Sequence, residues 1–484
     1  MLMIFAVFFP VLAGLAMLKL DIKGRKRRER YVIGGLAVTL AATAAANITG
    51  GQPVTIAAFS GGIDITLQAD ALAKFFTWLF AVIWLLVGIF AQEYMKHEGE
   101  ENRFFAFFMA SLGGLLGVAY ADNLVTMYRF FEAMSIMSYV LVPHSRTNES
   151  LIAGRKYIYY SLFGASLGLI GIFYFYSAGW ERAFVEGGVI PAGAVSAPVM
   201  SFMVILAIIG FGCKCGMFPL HGWLPAAHPQ APAPASSVLS GLITKAGVIA
   251  IIRIVYYTVG AENIRGTAAQ YVILALSIVT IFMGSMLAYK EKVLKKRLAY
   301  STVSQVSYVI FGLMLLNAEG FTGALLQVVF HALAKNVLFL GAGAFIYKTG
   351  KTMVSDTYAM GKAMPKTLAC FSVAGLSLVG VPLTAGYVSK HHLAFAALEH
   401  ESGLLGFIGL CTIMISALLT AGYLVTITAK AFFAPKEDMV KDDFEPNAYM
   451  TIPMAVMTAA IVLFGIYPRP VINFAHTIAH SLFI

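Results

Sequence analysis

The chain has 484 residues, of which 59% are hydrophobic and only 12% charged, whereas soluble chains of this length carry roughly 25% charged residues. Its formal charge is +10, but the charge is placed by the membrane rule described below, which argues against nucleic acid as its purpose. Apolar stretches of about 20 residues recur from end to end, each long enough for a hydrocarbon core ~30 Å thick. With no water there to satisfy the backbone, such stretches are helices, and the class is an all-α integral membrane protein.

In chain order, fourteen transmembrane spans are predicted, at roughly 1–20, 31–49, 68–92, 103–121, 123–143, 154–178, 197–220, 234–258, 268–289, 298–317, 321–347, 366–399, 404–430 and 450–468. No basic region precedes the first span and a basic cluster follows it (Lys23, Arg25, Lys26, Arg27, Arg28, Arg30), which is the pattern of a retained span and not of a cleaved signal. Val54 to Leu67 alternates apolar and polar residues around Ser60-Gly61-Gly62, predicting a short external β-hairpin. Of the 34 Lys and Arg, seven lie within spans and only Arg182, Arg265 and Arg469 fall beside even-numbered loops; the other 24 fall in or beside odd-numbered loops. The positive-inside rule then puts odd loops in the cytoplasm and both termini outside.

Two spans read as broken. The seventh contains Gly210-Phe211-Gly212, Gly216 and Pro219, and the twelfth is interrupted by Gly380-Val381-Pro382 and Gly386. Such breaks free backbone groups that hydrocarbon cannot satisfy, so they lie in protein or a hydrated cavity. They are five spans apart and each carries a lysine, the pointer to inverted repeats. The predicted organisation is residues 1–102 (spans 1–3), 103–258 (spans 4–8, first repeat), 268–430 (spans 9–13, second repeat) and 431–484 (span 14).

An ionised side chain at mid-bilayer costs about 2.5–3.5 kcal/mol on insertion scales, so each one inside a span needs a reason. Glu132 lies near the middle of span 5, with Arg129 one turn earlier and in reach of an i,i+3 pair. Lys214 and Lys245, in spans 7 and 8, are too deep to snorkel; Lys74 lies close to a helix end, and Arg253 is read as a packing residue. His331 and Lys335 share one face of span 11, with Gln327 one turn before them. Lys390 follows the break in span 12, where either a lysine or a carboxylate would serve as a titrating group; the adjacent His391 and His392 are weaker candidates. His221 and His228 are too far apart for a zinc pair, and Cys213, Cys215, Cys370 and Cys411 form no disulfide or metal pattern. No haem or iron–sulfur motif is present, so neither cofactor nor metal is expected and the chain is read as having no catalytic centre. The titratable groups together make a chain crossing the bundle at mid-membrane, of the kind a proton relay needs. One charge partner ~6 Å away at an effective dielectric of ~20 is worth roughly 2.8 kcal/mol, comparable to the ~2.3 kcal/mol needed to move a proton against 100 mV.

From Gly212-Cys213-Lys214-Cys215-Gly216-Met217-Phe218-Pro219-Leu220-His221-Gly222-Trp223-Leu224-Pro225 to Leu242-Ile243-Thr244-Lys245-Ala246-Gly247, the chain resembles the antiporter-like, proton-translocating subunits of complex I, membrane-bound hydrogenases and Mrp antiporters. Phe131-Glu132-Ala133, Lys296-Arg297-Leu298-Ala299-Tyr300-Ser301 and Phe330-His331-Ala332-Leu333-Ala334-Lys335 agree with it. The resemblance implies a fourteen-helix core with two inverted five-helix repeats. It also implies that Glu132 pairs with Lys214, that Lys245, His331 and Lys335 carry the central relay, and that Lys390 is the exit-side lysine. Asp122-Asn123 and the Ala231-Pro232-Ala233-Pro234 run resemble the Mrp D-type subunit. Gln327 stands where some relatives carry histidine, and Arg129 is an added charge. The chain stops soon after span 14, without a long lateral helix, which is the expectation for a middle subunit.

The function implied is ion (proton) translocation in a prokaryotic cell membrane, as the subunit of a redox-driven complex of the complex I or membrane-bound hydrogenase type. Its expected partners are other membrane subunits and, through them, a peripheral redox arm. The alternative is the D-type subunit of a multisubunit Mrp sodium/proton antiporter, in which sodium is the second ion.

Overall fold

The computed structural model describes residues 1–20, 22–59, 64–180, 183–191 and 193–483. Helices α1 (Leu2–Leu20) and α2 (Arg25–Thr49) lead into strands β1 (Val54–Ala57) and β2 (Ile65–Leu67), which pair antiparallel with Val54 opposite Leu67. The two arms of the expected hairpin are therefore present, while its turn at Ser60-Gly61-Gly62 lies outside the described residues. Helix α3 (Ala71–Glu98) is capped by Asp70, whose carboxylate accepts from the Ala73 amide at 2.7 Å. Helix α4 (Glu101–Tyr120) and α5 (Leu124–Tyr139) follow, α5 being capped by the Asn123 side chain at 2.8 Å from the Thr126 amide. Helix α6 (Asn148–Ser177) completes this half of the bundle.

Helix α7 (Ala197–Cys215) runs straight through Gly210-Phe211-Gly212, which corrects the expected break there. Those glycines serve packing: a Cβ added at Gly210 would lie 2.5 Å from the Gly168 nitrogen and 2.6 Å from the Gly164 oxygen of α6, a close approach of small residues as in other membrane helix pairs. Of the glycines named for the break, Gly216 makes it, with a φ of 78° that is open to glycine at little cost. The chain resumes as the short α8 (Leu224–Gln230). Helix α9 (Ala233–Val259) carries two π-helical stretches, Leu239–Ile243 and Arg253–Val259, that no proline announced.

Helices α10 (Ala268–Lys290), α11 (Leu294–Met314) and α12 (Ala318–Thr349) precede the second broken pair. That pair is α13 (Pro365–Val379) and α14 (Ala385–Leu398), separated at Gly380 as expected. Helices α15 (Gly403–Phe432) and α16 (Ala448–Ile466) close the series. Among the described residues, eleven helices are long and apolar enough to cross a membrane. Helix α9 is wholly buried and α4 and α12 nearly so, whereas α1, α15 and α16 keep most of their apolar surface outside. A helix apolar all round belongs to a core or faces lipid, and the exposed Leu404, Phe407, Met414 and Leu418 of α15 mark the lipid side. A last helix, α17 (Arg469–Leu482), was not expected. It is amphipathic and buries Ala475, Ile478, Ala479 and Leu482, one stripe of an i, i+3, i+4, i+7 pattern.

Candidate functional site

Lys214 occupies the last turn of α7 and is 1% exposed. Its Nζ donates to Tyr157 OH at 2.7 Å, Ser135 Oγ at 2.9 Å and Ser161 Oγ at 3.1 Å, and lies 4.4 Å from the centre of the Tyr157 ring. Three donor hydrogens thus find three neutral hydroxyls, which satisfies a buried ammonium. The expected direct pair with Glu132 is not made. Glu132 is half-buried and accepts from Tyr128 OH at 2.7 Å. Ser135, one turn along the same helix face, stands in its place beside the lysine. Arg129 does not pair with Glu132 either; its guanidinium lies 5.1 Å from the centre of the Phe59 ring.

Helix α9 brings Lys245 next to this cluster. A Cβ added at Gly247 would sit 3.2 Å from Lys214 Cβ, and Cys215 Sγ donates to the Thr244 carbonyl at 3.5 Å. In the π-helical stretch just before Lys245, the Ser240 carbonyl accepts from Lys245 Nζ at 3.2 Å and from Thr244 Oγ1 at 2.8 Å. Such π-bulges are frequent at functional sites. Lys245 Nζ also lies 2.7 Å from His331 Nδ1, a contact in which amine and imidazole share one proton between facing atoms. His331 Nε2 is buried without a hydrogen-bond partner. Lys335, one turn further along α12, donates to the Leu298 carbonyl at 3.0 Å.

One turn before His331, Gln327 Oε1 accepts from Ser389 Oγ at 2.6 Å, and its amide donates to Gln305 Oε1 at 2.9 Å. Ser389 is the neighbour of Lys390. Lys390 Nζ donates to the carbonyls of Leu378 at 2.5 Å and Val379 at 2.8 Å, the last two of α13. A helix C-terminus carries the negative end of the backbone dipole and stabilises a cation there. The sequence candidates Lys214, Lys245, His331, Lys335, Gln327 and Lys390 therefore form one buried line through α7, α9, α12 and α14.

Other candidates fall outside it. His391 is exposed, its ring tilted against that of Phe395. His221 is half-buried against Phe218. His228 is fully buried against Phe339, with neither ring nitrogen hydrogen-bonded. Sequence reasoning missed the hydroxyl partners Ser135, Tyr157, Ser161 and Ser389. It also missed Lys295, which is buried and donates to the Ala231 carbonyl at 2.7 Å. The signal available was spacing: Ser135 lies i+3 from Glu132, and Tyr157 and Ser161 lie i,i+4 on one helix face.

Arg253 is a packing residue, as its sequence position suggests. It is 1% exposed, donates to Asp70 Oδ2 at 2.5 Å and Oδ1 at 3.0 Å, and lies 4.7 and 4.6 Å from the ring centres of Phe184 and Tyr257. Between α4 and α5, burial pushes the Asp122 carboxyl up to about 6 against the opposing pull of Arg253.

Residues 121–416 match the family described as NADH:quinone oxidoreductase/Mrp antiporter, TM, and residues 56–105 match NADH-Ubiquinone oxidoreductase (complex I), chain 5 N-terminus. The chain is 30% identical to NADH-quinone oxidoreductase subunit N of Desulforudis audaxviator, over 84% of this chain and 83% of that one. It is 27% identical to a Na(+)/H(+) antiporter subunit of Alkalihalophilus pseudofirmus, over 86% and 83%. Its fold superimposes on a chain of the membrane-bound sulfane sulfur reductase, an archaeal respiratory membrane complex, with a TM-score of 0.87 at 22% identity, covering 99% of this chain and 97% of that one. With the first family match covering well over half of its length, this chain belongs to the NADH:quinone oxidoreductase/Mrp antiporter transmembrane family.

Proposed function

We propose that this protein is the proton-translocating, antiporter-like membrane subunit of a redox-driven complex, and that protons move along Glu132, Lys214, Lys245, His331, Lys335 and Lys390. The observation that carries the reading is the line itself: four buried lysines, none in an ion pair among the described residues. Each ammonium at mid-membrane costs a few kcal/mol, and ammonium groups ~6 Å apart repel by roughly 2.8 kcal/mol at an effective dielectric of ~20. Loading one site with a proton therefore discourages loading of the next. That is how a relay moves charge in steps, and a purely structural core gains nothing from it. With no redox motif in its sequence, the chain would take its driving force from partner subunits, consistent with the complexes its relatives are named for.

The proposed topology has fourteen crossings: α7 with α8, and α13 with α14, each count as one, the remaining long helices cross singly, and α17 does not cross. Residues 103–258 and 268–430 form the two inverted repeats. The shared design of the two breaks supports this pairing, since each first half-helix ends on a left-handed glycine, Gly216 or Gly380. Basic residues at one end of the bundle put that end in the cytoplasm and both termini outside.

The test is proton uptake by sealed vesicles containing the assembled complex. Glu132→Gln and Lys245→Ala should abolish uptake while subunit composition and electron transfer capacity persist. Normal uptake by Lys245→Ala would return the central lysine to a structural role. Strict sodium dependence, with no electron-transfer partner copurifying, would move the assignment to the Mrp D-type subunit.

A further inference from the structure

At the basic end of the bundle, away from the lysine line, α10, α11 and their connection, α15 and the 350–364 connection line an open cavity of about 820 Å³. Lys292, Arg297 and Lys430 line it with Tyr289, Tyr358 and Thr426, and no carboxylate does. Arg297 is only 9% exposed; its Nε and Nη1 donate to the carbonyls of Glu291 at 2.8 Å and Tyr423 at 3.0 Å, which fix the guanidinium without neutralising it. Of the nearby carboxylates, Glu291 pairs with Lys296 at 2.8 Å, Asp356 accepts from the Met353 amide at 2.9 Å, and Asp438 accepts from the hydroxyl of the wall residue Tyr358 at 2.6 Å. Among the described residues, none of the three cations forms an ion pair. Three positive charges around one cavity call for an anion with several acceptor oxygens.

The walls say how that anion arrives. Val279, Phe282 and Tyr289 follow one outward face of α10, each of them well exposed. Ile415 and Leu418 follow one outward face of α15 and lead on to Gly422 and Thr426 in the cavity. The two helices meet here, since a Cβ added at Gly422 would sit 2.9 Å from the Tyr289 ring. Two exposed apolar stripes thus lead from the lipid face to a cationic cavity rimmed by two tyrosines, residues that favour the membrane interface.

We propose that this cavity binds the phosphate of an anionic glycerophospholipid, whose acyl chains lie along the α10 and α15 stripes. Basic pockets between membrane helices recognise such headgroups, at roughly 1 kcal/mol for each cation near the phosphate. A soluble phosphate would find the same cations but would leave the apolar stripes uncovered.

The test uses the full chain in phosphatidylcholine nanodiscs, titrated with phosphatidylglycerol and read by native mass spectrometry. Lys292→Gln and Lys430→Gln should each weaken retention about fivefold, because their side chains hold nothing else in place, while Arg297 is left intact as a brace. Lys26→Gln with Arg27→Gln, in the exposed first turn of α2, should leave retention unchanged. Equal retention by the wild type and the Lys292→Gln/Lys430→Gln protein would overturn the site. Equal retention of phosphatidylcholine would overturn the role of charge, and full competition by inorganic phosphate would overturn the lipid as its source.

Discussion

Helices α7 and α13 end alike, yet their lysines are held differently. Gly216, at φ 78°, and Gly380, at φ 93°, each close a half-helix in the left-handed region. Lys214 lies just before its glycine and donates to the hydroxyls of Ser135, Tyr157 and Ser161. Lys390 lies ten residues past its glycine and reaches back to the carbonyls of Leu378 and Val379. A hydroxyl donates or accepts, whereas a carbonyl only accepts. The first site can therefore re-form its hydrogen bonds around a neutral or a charged group. At the second, two carbonyls and the helix dipole select a donor. The same backbone break thus yields a reversible station at Lys214 and a cation-holding station at Lys390.

The largest effect should come from emptying either station. Lys214→Ala and Lys390→Ala are both expected to reduce proton uptake per turnover to background in vesicles, with the complex still assembled. Full pumping by one and none by the other would show that only one of the two breaks belongs to the pathway.

Reversing the sign sharpens the contrast. Lys214→Glu places a carboxylate among three hydroxyl donors and should keep part of the pumping. Lys390→Glu offers the two carbonyl oxygens one proton when neutral and none when ionised, so it is held in its neutral form and should pump no better than Lys390→Ala. The sequence by itself makes a carboxylate at 390 look tolerable; the two carbonyls make the difference. Equal pumping by the two glutamate variants would erase the distinction between the stations.

Smaller losses should follow from the hydroxyls. Tyr157→Phe removes one of three acceptors from Lys214, and Ser389→Ala cuts the link between Gln327 and the segment carrying Lys390. A hydrogen bond to a charged group is worth about 1.5–3 kcal/mol, so the Tyr157→Phe rate should fall about tenfold at a fixed proton gradient. No change in the Tyr157→Phe rate would mean that Ser135 and Ser161 suffice.

Much of this is legible in the residues themselves. Apolar length locates the helices, and charge inside apolar spans locates Lys214, Lys245, His331, Lys335 and Lys390. Glycine misleads in one place: Gly210 and Gly212 read as a break, but glycine also marks close helix contact, and only the left-handed Gly216 ends α7. The direct Glu132–Lys214 contact came from resemblance alone, and side-chain direction decides against it. The π-helical turn before Lys245 leaves no mark in composition, since it is set by how α9 packs against α12, where a Cβ at Gly241 would lie 2.1 Å from Asn336 Nδ2. Hydroxyl partners are the hardest to see, because serine and tyrosine are common in spans and their significance lies in which helix they face.

The two glycines themselves give the finest test. Alanine at a left-handed position costs about 1–2 kcal/mol of backbone strain at either site, so both variants should melt below the wild type in detergent. Their surroundings then separate them. At Gly216 the new Cβ would lie 2.1 Å from Leu224 Cδ1, and Leu224 is fully buried, so the clash adds to the strain. At Gly380 the nearest atom is Lys390 Cδ at 2.9 Å, the middle of a flexible chain that yields by turning. Turning it pulls the ammonium off the Leu378 and Val379 carbonyls. Gly216→Ala should therefore show the larger drop in melting temperature, while Gly380→Ala should show the larger drop in pumping for each degree of stability lost. If Gly380→Ala melts early but pumps at the wild-type rate below its melting point, Lys390 does not depend on those carbonyls, and the cation-holding station loses its structural basis.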